Sequence, residues 1–223
     1  QNMSFKLTIK DDCPEIIAQR GQDALHVTGD FYDLFSEDIQ EAAKALALCF
    51  ANDQRVFTAG TGISGSLARV MADVLCGGKA SGRLPLPAMA LSPVLATGES
   101  TACGDQAFAR QLEAMGSDGD ILMLFTHDGT EPALIQAAAT AREQGMLTMG
   151  ISGGDGGALA ERDLFDLELR VPSIEEPLIH EVHMGLVCLL DELTDYYLSC
   201  KPEILKELIQ SGISHMQDDL EGK

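Results

Sequence analysis

Apolar residues gather in short runs along the middle of this chain and recur at helical spacing toward its two ends. The runs lie at 55–59, 87–91, 120–125, 146–151 and 165–170. Between them, segments near 62–76, 105–116, 131–144 and 156–162 carry helix-like patterns. Alternation of this kind predicts a parallel sheet covered by helices on both faces. Ile121-Leu122-Met123-Leu124-Phe125 is apolar at every position, which predicts a central strand.

The flanks differ. Residues 12–52 predict two helices, and in the second Phe31, Leu34, Phe35, Ile39, Ala42, Ala43, Leu46 and Phe50 recur at roughly helical spacing. Residues 177–199 predict one long helix through Ile179, Val182, Leu186, Leu189, Leu190, Leu193 and Tyr197. A short helix from Pro202 to Ile209 and an acidic tail follow. The chain therefore divides into N-terminal helices (1–52), a central α/β unit (53–199) and a C-terminal segment (200–223). Gln1-Asn2 before Met3 is expected to be a cloning remnant. The terminal helices carry more apolar surface than a sheet edge needs, which suits either a cap on the core or helix-mediated self-association.

Composition narrows the classes. The 223 residues, 45% apolar and 22% charged, are enough for one large domain. No apolar run approaches a membrane span, and no signal-peptide pattern is present, so a cytoplasmic protein is expected. Six cysteines show no CxxC pair and no regular spacing, as reduced thiols would. A net charge of −20 argues against direct nucleic-acid binding. A small anion would have to be held by local dipoles.

Three places can carry chemistry. The first is Gly60-Thr61-Gly62-Ile63-Ser64-Gly65-Ser66, a strand, a tight loop and a helix start in succession. Backbone N–H groups and a positive helix end form an anion site there, with hydroxyls from Thr61, Ser64 and Ser66. A phosphorylated small molecule is the first expectation, an ordinary strand-to-helix turn the alternative. The strand Pro87 to Leu91 ends without the acidic residue that would hold a ribose, which argues against NAD. The second place is Thr126-His127-Asp128-Gly129-Thr130-Glu131-Pro132, at the end of another buried strand. Two helix N-termini thus converge above strand ends, where open α/β sheets bind ligands. Asp128 and Glu131 have the spacing of a capping box, the expected role for both. His127 is a candidate catalytic residue, since imidazole is a common general acid or base. The third place is His180-Glu181-x-His183. Spacing i, i+3 puts both histidines on one face, either to reach one metal or substrate or as a plain helical pair. Glu181 points elsewhere and is expected to pair with a neighbouring element.

With these pieces the chain resembles the SIS (sugar isomerase) domains, especially the phosphoheptose isomerases and the related replication-initiator-associating proteins. The resemblance covers about residues 30–198. It rests on Gly150-Ile151-Ser152-Gly153-Gly154-Asp155-Gly156-Gly157 followed by the strand Leu167 to Pro172, on Glu181-Val182-His183-Met184, and on the spacing of Gly60, Ser64 and Gly129. It implies a three-layer α/β/α sandwich with a five-stranded parallel sheet, usually a homotetramer with active sites between subunits. It implies phosphate binding by the loops at 60–66 and 126–131, hence ligand contacts from Gly60, Thr61, Gly62, Ser64, Thr126, Asp128, Thr130 and Glu131. Family isomerases act on sedoheptulose 7-phosphate and typically use zinc with a Glu/His acid–base pair.

The chain departs from that pattern. The family's first-loop Asn is Thr61, and a Ser-Thr-Ser-Gly-Asn-Ser loop is Thr126 to Glu131, which replaces two phosphate-binding hydroxyls by acids. A phosphate dianion beside Asp128 and Glu131 costs several kcal/mol while both stay ionised and turned toward it. The family's His and Glu on the first-loop helix align with Val70 and Val74, its Gln on the last helix with His180, and a further His with Cys188. Val neither ligates metal nor transfers a proton, so no cofactor is predicted. Zinc would require a site rebuilt from the remnant His180 and Cys188, with Asp73. Three functions follow as expectations. The first is a phosphosugar-binding protein with altered or lost catalysis. The second is a non-enzymatic adaptor whose acidic surface suits a basic protein. The third is an active isomerase with a divergent site, using His127 or His180 as base.

Overall fold

The computed structural model describes residues 12–77, 83–92 and 104–210. The start at Gln1 to Met3, Cys103 and the acidic tail lie outside the described residues. The elements are α1 (Cys13–Leu34), α2 (Ser36–Ala51), β1 (Val56–Gly60), α3 (Gly62–Gly77), β2 (Ala88–Ala90), α4 (Ala107–Met115), β3 (Ile121–Phe125), α5 (Pro132–Glu143), β4 (Leu147–Gly153), α6 (Gly157–Glu161), β5 (Leu167–Val171) and α7 (Glu176–Asp195). A π-helical turn, Tyr196–Cys200, ends α7, and residues 202–210 are helical.

Five strands form one all-parallel sheet in the order β2-β1-β3-β4-β5. The α/β sandwich expected from the apolar runs is the observed fold. β3 is central and buried throughout. Its residues alternate between the two faces, as a pleated strand requires. Ile121, Met123 and Phe125 join a core built with α2, α3 and α7, while Leu122 and Leu124 join one built with α4, α5 and α6. Phe31 of α1 and Ile39, Ala42, Ala43 and Leu46 of α2 belong to the first core. Most of α1 projects apolar side chains outward, among them Ile16, Ile17, Leu25 and Leu34. Among the described residues no helix is long and apolar enough to cross a membrane. The five described cysteines are free thiols.

Two close backbone approaches set the upper rim of the sheet. A Cβ on Gly60 would stand 2.7 Å from the Ser64 carbonyl oxygen, and one on Gly65 2.7 Å from that of Gly60. The end of β1 and the first turn of α3 are thus in backbone contact. Gly129, at φ 67°, lies against Gly156 and Gly157 of the turn after β4, and a Cβ there would overlap the Gly156 carbonyl. The Leu159 amide of α6 also donates to the Gly129 carbonyl at 3.1 Å. The Asp-Gly-Gly turn therefore braces the loop after β3.

The helix α7 is fastened to the sheet by His183. Its ring is fully buried, edge-on to Phe125, with Nε2 3.0 Å from the Ser152 carbonyl. A carbonyl only accepts, so Nε2 carries the hydrogen. Burial drives the imidazole down to about 4, only partly offset by that carbonyl and reinforced weakly by His180 and His127.

Two outcomes follow. Gly129→Ala is expected to lose on the order of 3 kcal/mol in chemical denaturation, from a left-handed backbone and the overlap with Gly156; parental stability would refute the bracing role. For His183 the native state gives up its proton more readily than the unfolded chain. Its contribution is full above about pH 6.5 and is lost as pH falls toward about 4. Stability of the parent should fall across that window by up to about 1.4 kcal/mol per pH unit from this group. His183→Gln, which keeps a donor without titrating, should show a shallower slope.

Candidate functional site

β1 and β3 are neighbours in register, with Gly60 opposite Phe125. Their following loops therefore emerge side by side at the carboxyl end of the sheet. From β1 the chain steps outward to β2, and β3 returns on its other side, so this is the point where strand order reverses. Open α/β sheets form their ligand crevice at such a point. The first wall is the N-terminus of α3, whose leading N–H groups lack intrahelical acceptors. Thr61 is half-buried and Ser64 fully buried. The second wall is the loop 126–131 and the start of α5.

One carboxylate joins the walls. Thr61 Oγ1 donates to Glu131 Oε1 at 3.1 Å, and Thr126 Oγ1 donates to Oε2 at 2.7 Å. The same Thr126 oxygen accepts from the Gly129 amide at 2.8 Å. The expected capping box is not formed. Pro132 opens α5, lacks an N–H and keeps the preceding residue out of helical geometry. Glu131 is therefore the N-cap rather than the third helical residue, and its side chain makes no cap bond. Asp128 instead closes a local turn, accepting from the Thr130 amide at 3.1 Å and hydroxyl at 2.9 Å. It also lies 3.5 Å from His127 Nε2.

From α7, His180 reaches the first wall. Its Nε2 is 3.1 Å from Ser64 Oγ, while Nδ1 lies 4.0 Å from the Glu176 carboxylate, beyond hydrogen-bond reach. Burial holds this imidazole below its ordinary range, against the pull of Glu176 and with a smaller push from His127. The His127, His180 and His183 rings follow one another at 6.2 and 6.3 Å between centroids. The two histidines of α7 do not share a target: His180 faces Ser64 and His183 faces the sheet. Glu181 pairs with Arg20 of α1 at 2.7 Å, as its place on the helix predicts.

The remnant metal pair is not assembled. Cys188 is exposed and lies beside Tyr32 of α1, adding to the burial that raises that phenol. Val70 and Val74 are packed against the core, and Asp73 is exposed and paired with Arg69. These positions do not fit zinc. The cluster that does converge among the described residues is His127, Asp128 and Glu131, with ligand atoms within 4.8 Å of one another. Nothing local in the sequence announced the bond from Glu131 to Thr61.

Comparison with known proteins agrees with this geometry. A family model described as SIS domain matches residues 23–153. The phosphoheptose isomerase of Halorhodospira halophila is 35% identical over 188 residues, covering 82% of this chain and 95% of that protein. That of Desulfovibrio desulfuricans is 33% identical, covering 85% of this chain and 91% of its own length. The structure of a phosphoheptose isomerase from Francisella tularensis superposes with a TM-score of 0.76 at 31% identity, over 82% of this chain and 98% of that one. With its parallel sheet, its glycine-braced loops and relatives matched over nearly their whole length, the chain belongs to the SIS domain family and is phosphoheptose isomerase-like.

Proposed function

We propose that this chain binds a phosphorylated sugar in the crevice between the 60–66 and 126–131 loops, with a catalytic set altered from that of its phosphoheptose isomerase relatives. The observation that carries the proposal is the convergence of two helix N-termini and the hydroxyls of Thr61, Ser64 and Thr126 above the paired ends of β1 and β3. Helix N-termini and hydroxyls are what a phosphate monoester requires in a chain of net charge −20. Ligand contacts fall to Gly60, Thr61, Gly62, Ser64, Thr126 and Thr130, with Asp128 and Glu131 on the acidic side.

Moving a proton between adjacent sugar carbons needs a base near neutrality and a group that polarises the carbonyl. His180, set on Ser64 and favoured in its uncharged form by burial, is the candidate for the first. Val70 and Val74 supply no polariser, so retained binding with lost or weakened turnover is favoured, and no resident zinc enters the proposal. The outward apolar residues of α1 favour a homo-oligomer, a tetramer by analogy with the family. A cytoplasmic protein suits the free thiols.

A second function, a protein-binding adaptor, is favoured by Glu131, because a carboxylate already holds the hydroxyls that a phosphate would use. The acidic chain would then serve a basic protein partner.

Sedoheptulose 7-phosphate at a hundredfold excess over its dissociation constant should stabilise the protein by about 2.7 kcal/mol. Ser64→Ala should weaken that effect, and chelation should leave it unchanged; no shift in melting temperature at millimolar ligand would refute phosphosugar binding. For the adaptor, affinity capture with the assembled protein should retain a stoichiometric basic partner, and failure to recover any would weigh against it.

A further inference from the structure

We infer that Glu131 is a specificity-determining residue: its carboxylate is an internal occupant of the anion crevice that free inorganic phosphate cannot displace. The inference rests on the proposal that this crevice receives the phosphate of a sugar phosphate.

The geometry supports it at three points. First, the two oxygens of Glu131 are used separately, one on Thr61 of the first wall and one on Thr126 of the second. A carboxylate with both oxygens bonded to opposite walls stands where a bridging phosphate would place two of its own oxygens. Second, the occupant is pre-positioned. Glu131 is fixed in extended backbone ahead of Pro132, and Thr126 is fully buried and held by the Gly129 amide. An intramolecular acceptor of this kind loses little freedom on binding, whereas a free anion loses its translation and rotation. Third, the occupant carries the same sign of charge as its competitor. An anion that shares the crevice with Glu131 meets repulsion at short range in a half-buried setting. One that displaces it must break both hydroxyl bonds.

Inorganic phosphate must take the Thr61 and Thr126 hydroxyls from Glu131 and gains only the helix N-termini in exchange. A sugar phosphate brings a polyol as well, with further partners along the crevice at His180 and His127. Only the larger ligand gains enough to move the carboxylate aside. Glu131 therefore sets a threshold that excludes the anion and admits the ester.

The test compares the parent with Glu131→Ser, which returns a small hydroxyl to this position, by titration calorimetry with inorganic phosphate, sedoheptulose 7-phosphate and unphosphorylated sedoheptulose. The parent should bind the sugar phosphate and show no measurable affinity for inorganic phosphate. The Ser variant should bind inorganic phosphate measurably and the sugar phosphate at least about tenfold more tightly, with no change toward the neutral sugar. Glu131→Gln, which keeps the size and removes the charge, should fall between them and serves if the Ser variant does not fold. Sugar-phosphate binding by the parent with no gain in either variant would overturn the role of Glu131 while leaving the crevice assignment intact. Absence of phosphate and sugar-phosphate binding in the parent and both variants would overturn the two together.

Discussion

The pairing of β1 with β3 is the constraint on which the crevice depends. Their register sets Gly60 level with Phe125, so both loops leave the sheet at the same height and both following helices start beside each other. A slip of one residue would turn every side chain of one strand to the opposite face and destroy both cores at once. The register is therefore enforced by burial on two sides, at Ile121, Met123 and Phe125 on one and Leu122 and Leu124 on the other. The polar groups above inherit that precision without contributing to it.

On this frame the two walls are held differently. The first is rigid because strand end and helix start touch through backbone, Gly60 against Ser64 and Gly65. The second is braced from outside by Gly156 and Gly157 and tied inward by Glu131. Binding chemistry thus sits on short loops whose conformations are over-determined by the sheet and its turns.

Much of the fold was legible because apolar runs and helical spacing report burial directly. The five strands, the two N-terminal helices and the long α7 follow from residues such as Ile121 to Phe125 and Ile39 to Phe50. The two loops were legible as a pair for the same reason. What was not legible depends on partners far apart in sequence. Glu131 and Thr61 are 70 residues apart, and His180 and Ser64 are 116 apart. Local spacing suggested a capping box at Asp128 and Glu131. Pro132 overrode it by shifting the helix start, and a residue freed from capping found acceptor work across the crevice. The alignment of Cys188 with a ligand position likewise carried no information about direction, and the helix turns that thiol toward α1.

The helix α1 has a consequence of its own. Of its 22 residues Phe31 alone is fully buried, close to its C-terminal end. The rest is held to the body by the partly buried Val27 and Tyr32 and by the exposed ion pair of Arg20 with Glu181, which is of small worth. In an isolated chain such a segment opens at little free-energy cost, while the sheet beneath it opens only with global unfolding. Amide hydrogens of α1 would exchange quickly in a monomer and slowly wherever its outward isoleucines and leucines are covered. The exchange rate of this one helix is therefore a gauge of self-association that needs no knowledge of the ligand.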